Sequence, residues 1–89
     1  MKHATPAALD TIEDLLAAVR AFDGLTERKR GTFYRKSSAF LHFHEDPEGM
    51  FADLKEEADF VRFRVVTEAE RRRFLAAVAR GIGARSAAR

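Results

Sequence analysis

The chain has no cysteine, no tryptophan, only two prolines and five glycines, and no long apolar run. Without cysteine it forms neither disulfides nor thiolate nucleophiles, and a metal ion can be held only by His, Asp or Glu. The same absence suits a reducing compartment. No stretch approaches the roughly 20 apolar residues of a membrane span, and the N-terminal segment is broken by polar and acidic side chains, unlike a signal peptide. The expected location is the cytoplasm, with no membrane partner. There is no Gly-rich phosphate loop, Ser37, Ser38 and Ser86 lack a nucleophile-elbow context, and the acids between residues 45 and 59 lack the Asp spacing and Gly of a calcium loop. Neither catalysis nor a bound cofactor is expected.

What is present is 89 residues at 46% hydrophobic, enough for one small domain. Such a chain buries roughly 60–65% of its unfolded surface, so binding on an open surface is expected rather than in a deep site. The net charge of +2 conceals an asymmetry. Residues 45–59 carry seven acids against Lys55, and residues 60–89 carry eight arginines against Glu68 and Glu70. These blocks can pair within one fold or between two copies, so the basic balance alone does not point to nucleic acid.

Thr5 followed by Pro6 reads as a helix cap and first helical position. Leu9, Ile12, Leu16 and Val19, widened by Leu15 and Phe22, form an apolar stripe that Gly24 closes. Residues 25–31 are charged and aperiodic, which reads as a loop. Four extended runs follow: Thr32–Lys36, Ala39–His44, Met50–Lys55 and Asp59–Val66. Asp46-Pro47-Glu48-Gly49 has the residue types of a type I turn at its first, second and fourth positions. Thr67 and Glu70 form a capping box, and Phe74, Leu75, Val78 and Ile82 stripe the helix it starts. The expected fold is α+β: a two-layer α-β-β-β-β-α sandwich in which two helices cover one face of a four-stranded antiparallel meander. Residues 1–83 form the domain, Gly81 and Gly83 end or fray its last helix, and residues 84–89 are expected to be a disordered tail.

Alternation assigns the sheet faces. Leu41 and Phe43, Ala52 and Leu54, and Val61, Phe63 and Val65 fall on the side facing the helices. Phe40, His42 and His44, Phe51, Asp53 and Lys55, and Phe60, Arg62 and Arg64 fall on the other, with Phe33 and Arg35 or Tyr34 and Lys36 from the first strand. Aromatics mixed with arginine are typical of protein interfaces, and the same mixture suits stacked bases and phosphates. Three readings of Phe40, His42, His44, Phe51, Phe60, Arg62 and Arg64 stand side by side: an interface with another protein or a second copy, a nucleic-acid platform, and a folded surface covered by a loop or by arginine stems. The interface in a homodimer is the leading one.

His42-Phe43-His44 places two imidazoles on one side of a strand, where Asp53, or Glu45 and Asp46 at the turn, could complete a metal shell. The commoner outcome for such a pair is a hydrogen-bonded set on a polar face. Met1-Lys2-His3 could wrap Cu(II) or Ni(II), as any third-position histidine can. Arg71-Arg72-Arg73 fan around a helix and read as a solvated surface.

The run Thr32–Lys55, with its Phe-Leu-His-Phe-His-Glu-Asp-Pro-Glu-Gly segment, resembles small uncharacterised bacterial proteins. The layout of a helix, an antiparallel meander and a closing helix resembles the YjbR/MmcQ-like group. That resemblance implies a secretion-chaperone-like or frataxin-like arrangement and a DNA-binding assignment for the group. It carries no site residue to this chain.

Overall fold

A computed structural model describes the backbone of residues 2–87 and the side chains of residues 2–83. It is an α+β fold with an open antiparallel sheet of five to six strands and three helices. In chain order these are β1 (Lys2–His3), α1 (Pro6–Asp10), α2 (Glu13–Arg20), β2 (Leu25–Lys29), β3 (Thr32–Arg35), β4 (Ser38–Asp46), β5 (Gly49–Glu56), β6 (Asp59–Arg64) and α3 (Glu68–Ala87). Strands β2 to β6 form a meander in sequence order, and the two-residue β1 pairs with the far half of β4. Short connections enforce this order, because strands joined by tight turns have no chain left for a crossover.

Several local expectations hold. The Thr5 hydroxyl accepts from the Ala8 amide at 3.2 Å, with Pro6 in the first helical turn. In the capping box the Thr67 hydroxyl accepts from the Glu70 amide at 3.1 Å, and the Glu70 carboxylate accepts from the amides of Thr67 and Val66 at 2.9 and 3.1 Å. At the β4–β5 turn the Asp46 carboxylate accepts from the Glu48 amide at 3.1 Å. Gly49 follows with φ of 130°, and a Cβ there would come within 2.5 Å of a Val66 methyl. Gly31 is fixed in the same way, by φ of 83° and by Leu9, whose methyl a Cβ would meet at 2.8 Å.

Other expectations are corrected. Residues 25–31 are not a loop, since Leu25–Lys29 is a strand paired with β3, so the sheet exceeds four strands. Its outward charges hid it, and pairing with a neighbour rather than its own pattern makes it extended. The first helix is two helices, interrupted at Thr11–Ile12, where the Thr11 hydroxyl turns back to the Ala8 carbonyl at 2.6 Å. Helix α3 is not ended by Gly81 or Gly83 and is assigned to Ala87; residues 88–89 lie outside the described residues.

The largest correction concerns Phe40. Phe33 pairs with Leu41 but Tyr34 pairs with Ala39, so Phe40 is an extra residue in β4, a β-bulge. The bulge breaks the alternation and turns Phe40 inward, where it is 1% exposed and lies 3.5 Å from where a Cβ of Gly81 in α3 would stand. Phe40 therefore belongs to the core. Val61, expected in the core, is 39% exposed on the sheet's last strand.

One apolar cluster gathers Leu9, Ile12, Leu15, Leu16 and Val19 from the N-terminal helical region, Phe74, Ala77 and Val78 from α3, and Phe33, Phe40, Leu41, Phe43, Ala52, Leu54 and Val65 from the sheet region. The Phe74 ring makes edge contact with Phe43 at 5.9 Å and also meets Phe63 at 5.7 Å. Each large side chain withdrawn from water here contributes about 1.5–3 kcal/mol before entropy is counted. Polar contacts tie α2 to β2: Arg20 bridges Glu13 and Glu27 at 2.7 and 2.6 Å, and Glu27 also accepts from the Gly31 amide at 3.0 Å.

Candidate functional site

On the face opposite this cluster the register lays residues out in rows. Thr32, His42, Asp53 and Arg62 stand side by side across β3 to β6, and His3, His44, Phe51 and Arg64 form the next row across β1, β4, β5 and β6. Opposite residues in adjacent strands share a face, so these rows interlock diagonally. Their centre is Asp53, 7% exposed and the sole buried charged residue among those described.

Burying a carboxylate is costly unless it is paired and hydrogen-bonded. Arg62 grips Asp53 with both sides of its fork, Nε to Oδ1 at 2.8 Å and a terminal nitrogen to Oδ2 at 3.0 Å. This geometry holds the Asp53 carboxyl below its usual pKa, against the opposing effect of burial, and raises Arg62 in turn. His44 Nε2 stands 3.1 Å from Asp53 Oδ2 and 2.9 Å from His42 Nδ1, so one ring nitrogen faces two partners. His44 Nδ1 is buried without a hydrogen-bond partner. Burial, and then the adjacent His44, lower the pKa of His42 and favour its neutral form.

Around this centre lie rings. Phe60 meets His42 at 5.1 Å, and the His3 ring stands 5.1 Å from His44 and 6.1 Å from His42. Arg28 stacks over Tyr34 with its guanidinium 4.3 Å from the ring centre. Arg64 leans toward Glu70 at 3.4 Å.

Of the residues read from the sequence as one face, His42, His44, Asp53, Arg62 and Phe60 are brought together. Phe51 is half-buried beside them and Arg64 is drawn to the helix, while Phe40 is on the other side of the sheet. Glu45 and Asp46 do not join the histidines: Glu45 accepts from the Thr5 amide at 2.7 Å, and Asp46 is used in its own turn. Among the described residues Arg62–Asp53 is the one ion pair linking the acidic and basic blocks. The arginine run is structural in part, since Arg71 donates to the Val65 carbonyl at 2.9 Å and Arg72 pairs with Glu68 at 2.7 Å.

His3 joins this face although its sequence context gives no sign of it. A two-residue strand has no periodicity, and nothing near Lys2-His3 shows that it will lie along β4. Its place is set by distant contacts, the pairing of His3 with His44 and the Ala4 amide donating to the Phe43 carbonyl at 3.3 Å. No family model, curated protein or solved structure matches this chain, so the resemblance to the YjbR/MmcQ-like group remains an expectation about element order.

Proposed function

We propose that this protein is a non-catalytic binding domain that works through the sheet face opposite the apolar cluster, and that its partner is a second copy of itself joined along β6. In this reading the fold is two-layered, with the helices on one face. Support comes from the common cluster that receives side chains from α1, α2 and α3, and from the half-buried or exposed state of His42, His44, Phe51, Phe60, Arg62 and Arg64.

The observation that carries the reading is where exposed apolar bulk lies. Among the described residues the exposed large hydrophobics are Phe60, Val61 and Val66, all on β6 or just beyond it, and β6 is an edge of the sheet. An edge strand leaves backbone N–H and C=O groups open to another strand, and apolar side chains beside it favour that pairing. Phe60 alternates with Arg62 and Arg64, so a ring from one copy can face a guanidinium of the other.

Nucleic acid is the alternative occupant of this face. It is disfavoured because Arg62 is committed to Asp53 and Arg64 is drawn to Glu70. Sedimentation velocity at tens of micromolar decides the matter. A dimer converted to monomer by Phe60→Ser or Val61→Lys supports β6 pairing. A wild-type monomer overturns it, and retention on a nucleic-acid column that falls steeply with salt would establish the alternative.

A further inference from the structure

We propose that His42, His44 and Asp53 form a binding site for one divalent first-row transition-metal ion of the zinc, cobalt or nickel class, with His3 of β1 as a fourth donor. The site lies on the proposed working face but does not depend on self-association.

The geometry begins with one atom. His44 Nε2 lies 2.9 Å from His42 Nδ1 and 3.1 Å from Asp53 Oδ2. A neutral imidazole nitrogen carries either one proton or one lone pair, and one proton cannot be aimed fully at two acceptors. A cation among the three atoms uses a lone pair from each. Metal–nitrogen and metal–oxygen distances of about 2.0–2.2 Å place neighbouring donors about 2.9–3.4 Å apart in octahedral and tetrahedral shells, which both contacts match. One ligand atom from each of His42, His44 and Asp53 lies within 4.8 Å of the others, and because two bonds of about 2.2 Å span no more than about 4.4 Å, the wider His42–Asp53 separation has to close as the ion binds.

The surroundings fit a coordination shell. The side chains of His44 and Asp53 are 12% and 10% exposed, so two donors are held in place by the sheet and not by solvent-borne rotamers. Arg62 donates to both carboxylate oxygens, Nε to Oδ1 at 2.8 Å and a terminal nitrogen to Oδ2 at 3.0 Å, which orients the carboxylate and leaves one lone pair of Oδ2 for the ion. Two imidazoles and one carboxylate suit zinc, nickel, cobalt and iron better than magnesium or calcium, which prefer oxygen donors. His3 is exposed on the adjoining strand, with its ring 5.1 Å from that of His44. In the proposed site a side-chain rotation turns a His3 nitrogen toward the three donors, so that metal binding would fasten β1 to β4. His44 Nδ1 has no acceptor, and loss of such a partner weakens sites by about 10–100-fold, so a micromolar affinity is expected.

The test uses the untagged full chain stripped with EDTA, titrated with Co(II) by visible absorbance and with Zn(II) by calorimetry. One equivalent is expected to bind, with the ligand-field bands of four- or five-coordinate cobalt. His42→Ala and Asp53→Asn should each weaken binding beyond the about 10–100-fold that losing an outer partner costs, while His3→Ala weakens it within that range and keeps one equivalent. Circular dichroism verifies folding, and His42→Gln replaces His42→Ala if the latter unfolds. Absence of binding by the wild type at millimolar metal overturns the site. So does binding that survives His42→Ala and Asp53→Asn but is lost on His3→Ala, which would be chelation by the N-terminal segment alone. No change on His3→Ala overturns the fourth-donor assignment.

Discussion

On β5 the two faces of the sheet are one residue apart. Leu54 and Asp53 are both buried, at 0% and 7% exposed, and they are held there by different physics. Leu54 is inside because water gains from its removal, an effect that is non-directional and tolerant of small shifts. Asp53 is inside only because the Arg62 fork and His44 surround it at 2.8–3.1 Å. The face that carries the apolar cluster therefore answers to volume, and the opposite face to the position of a few atoms.

The largest expected effect sets Phe40 against Phe60, two aromatics that simple alternation places on the same face. Phe40→Ala should cost about 3–5 kcal/mol in urea or thermal unfolding because the ring is buried at the bulge, whereas Phe60→Ala should change stability by no more than about 1 kcal/mol. Equal losses would break the contrast between faces. Next is Asp53→Asn, nearly unchanged in volume, which should cost about 1–3 kcal/mol by weakening the fork and the His44 contact. If the face were ordinary solvated surface, this substitution would be silent.

A smaller effect is electrostatic. Hydrogen bonds from Arg30 and then Arg20 lower the pKa of Glu13, and the Thr67 and Val66 amides lower that of Glu70. Both carboxyls are held below their ordinary unfolded-chain value. Their stabilisation is present above the unfolded pKa and is lost as pH falls through the folded values. The melting temperature should thus decline on acidification below about pH 4–5, and Glu70→Gln should shrink the difference between pH 6 and pH 3. Packing of the apolar cluster does not titrate, so a variant such as Leu54→Ala should shift the whole curve without changing its slope. The smallest effect concerns the turns flanking the two central strands. Lys36 and Glu57 both have φ of 57°, and replacing either with Gly should raise stability by up to about 1 kcal/mol in denaturant titrations.

The features legible in the sequence share a short range. The Thr5 cap, the Thr67–Glu70 box, the Asp46–Gly49 turn and the alternation of Leu41, Phe43, Ala52 and Leu54 each depend on residues within a few positions. The pairing of His42 with Asp53 and Arg62 on one face followed from period two and the tight turns. Three features that depend on distant strand pairing were not legible. Leu25–Lys29 becomes a strand because β3 lies beside it, and His3 joins the histidines because β1 lies along β4. Phe40 changes face because the register between β3 and β4 shifts by one residue.

By itself, then, the sequence determined where elements start and turn and which side chains alternate, because propensity, capping and pleat act along neighbouring residues. Tertiary structure decided which face received Phe40, how far the sheet extended, and that His3, 41 positions from His44, would stand beside it. Those outcomes depend on which distant backbone donors and acceptors find one another, and no run of adjacent residues encodes that pairing.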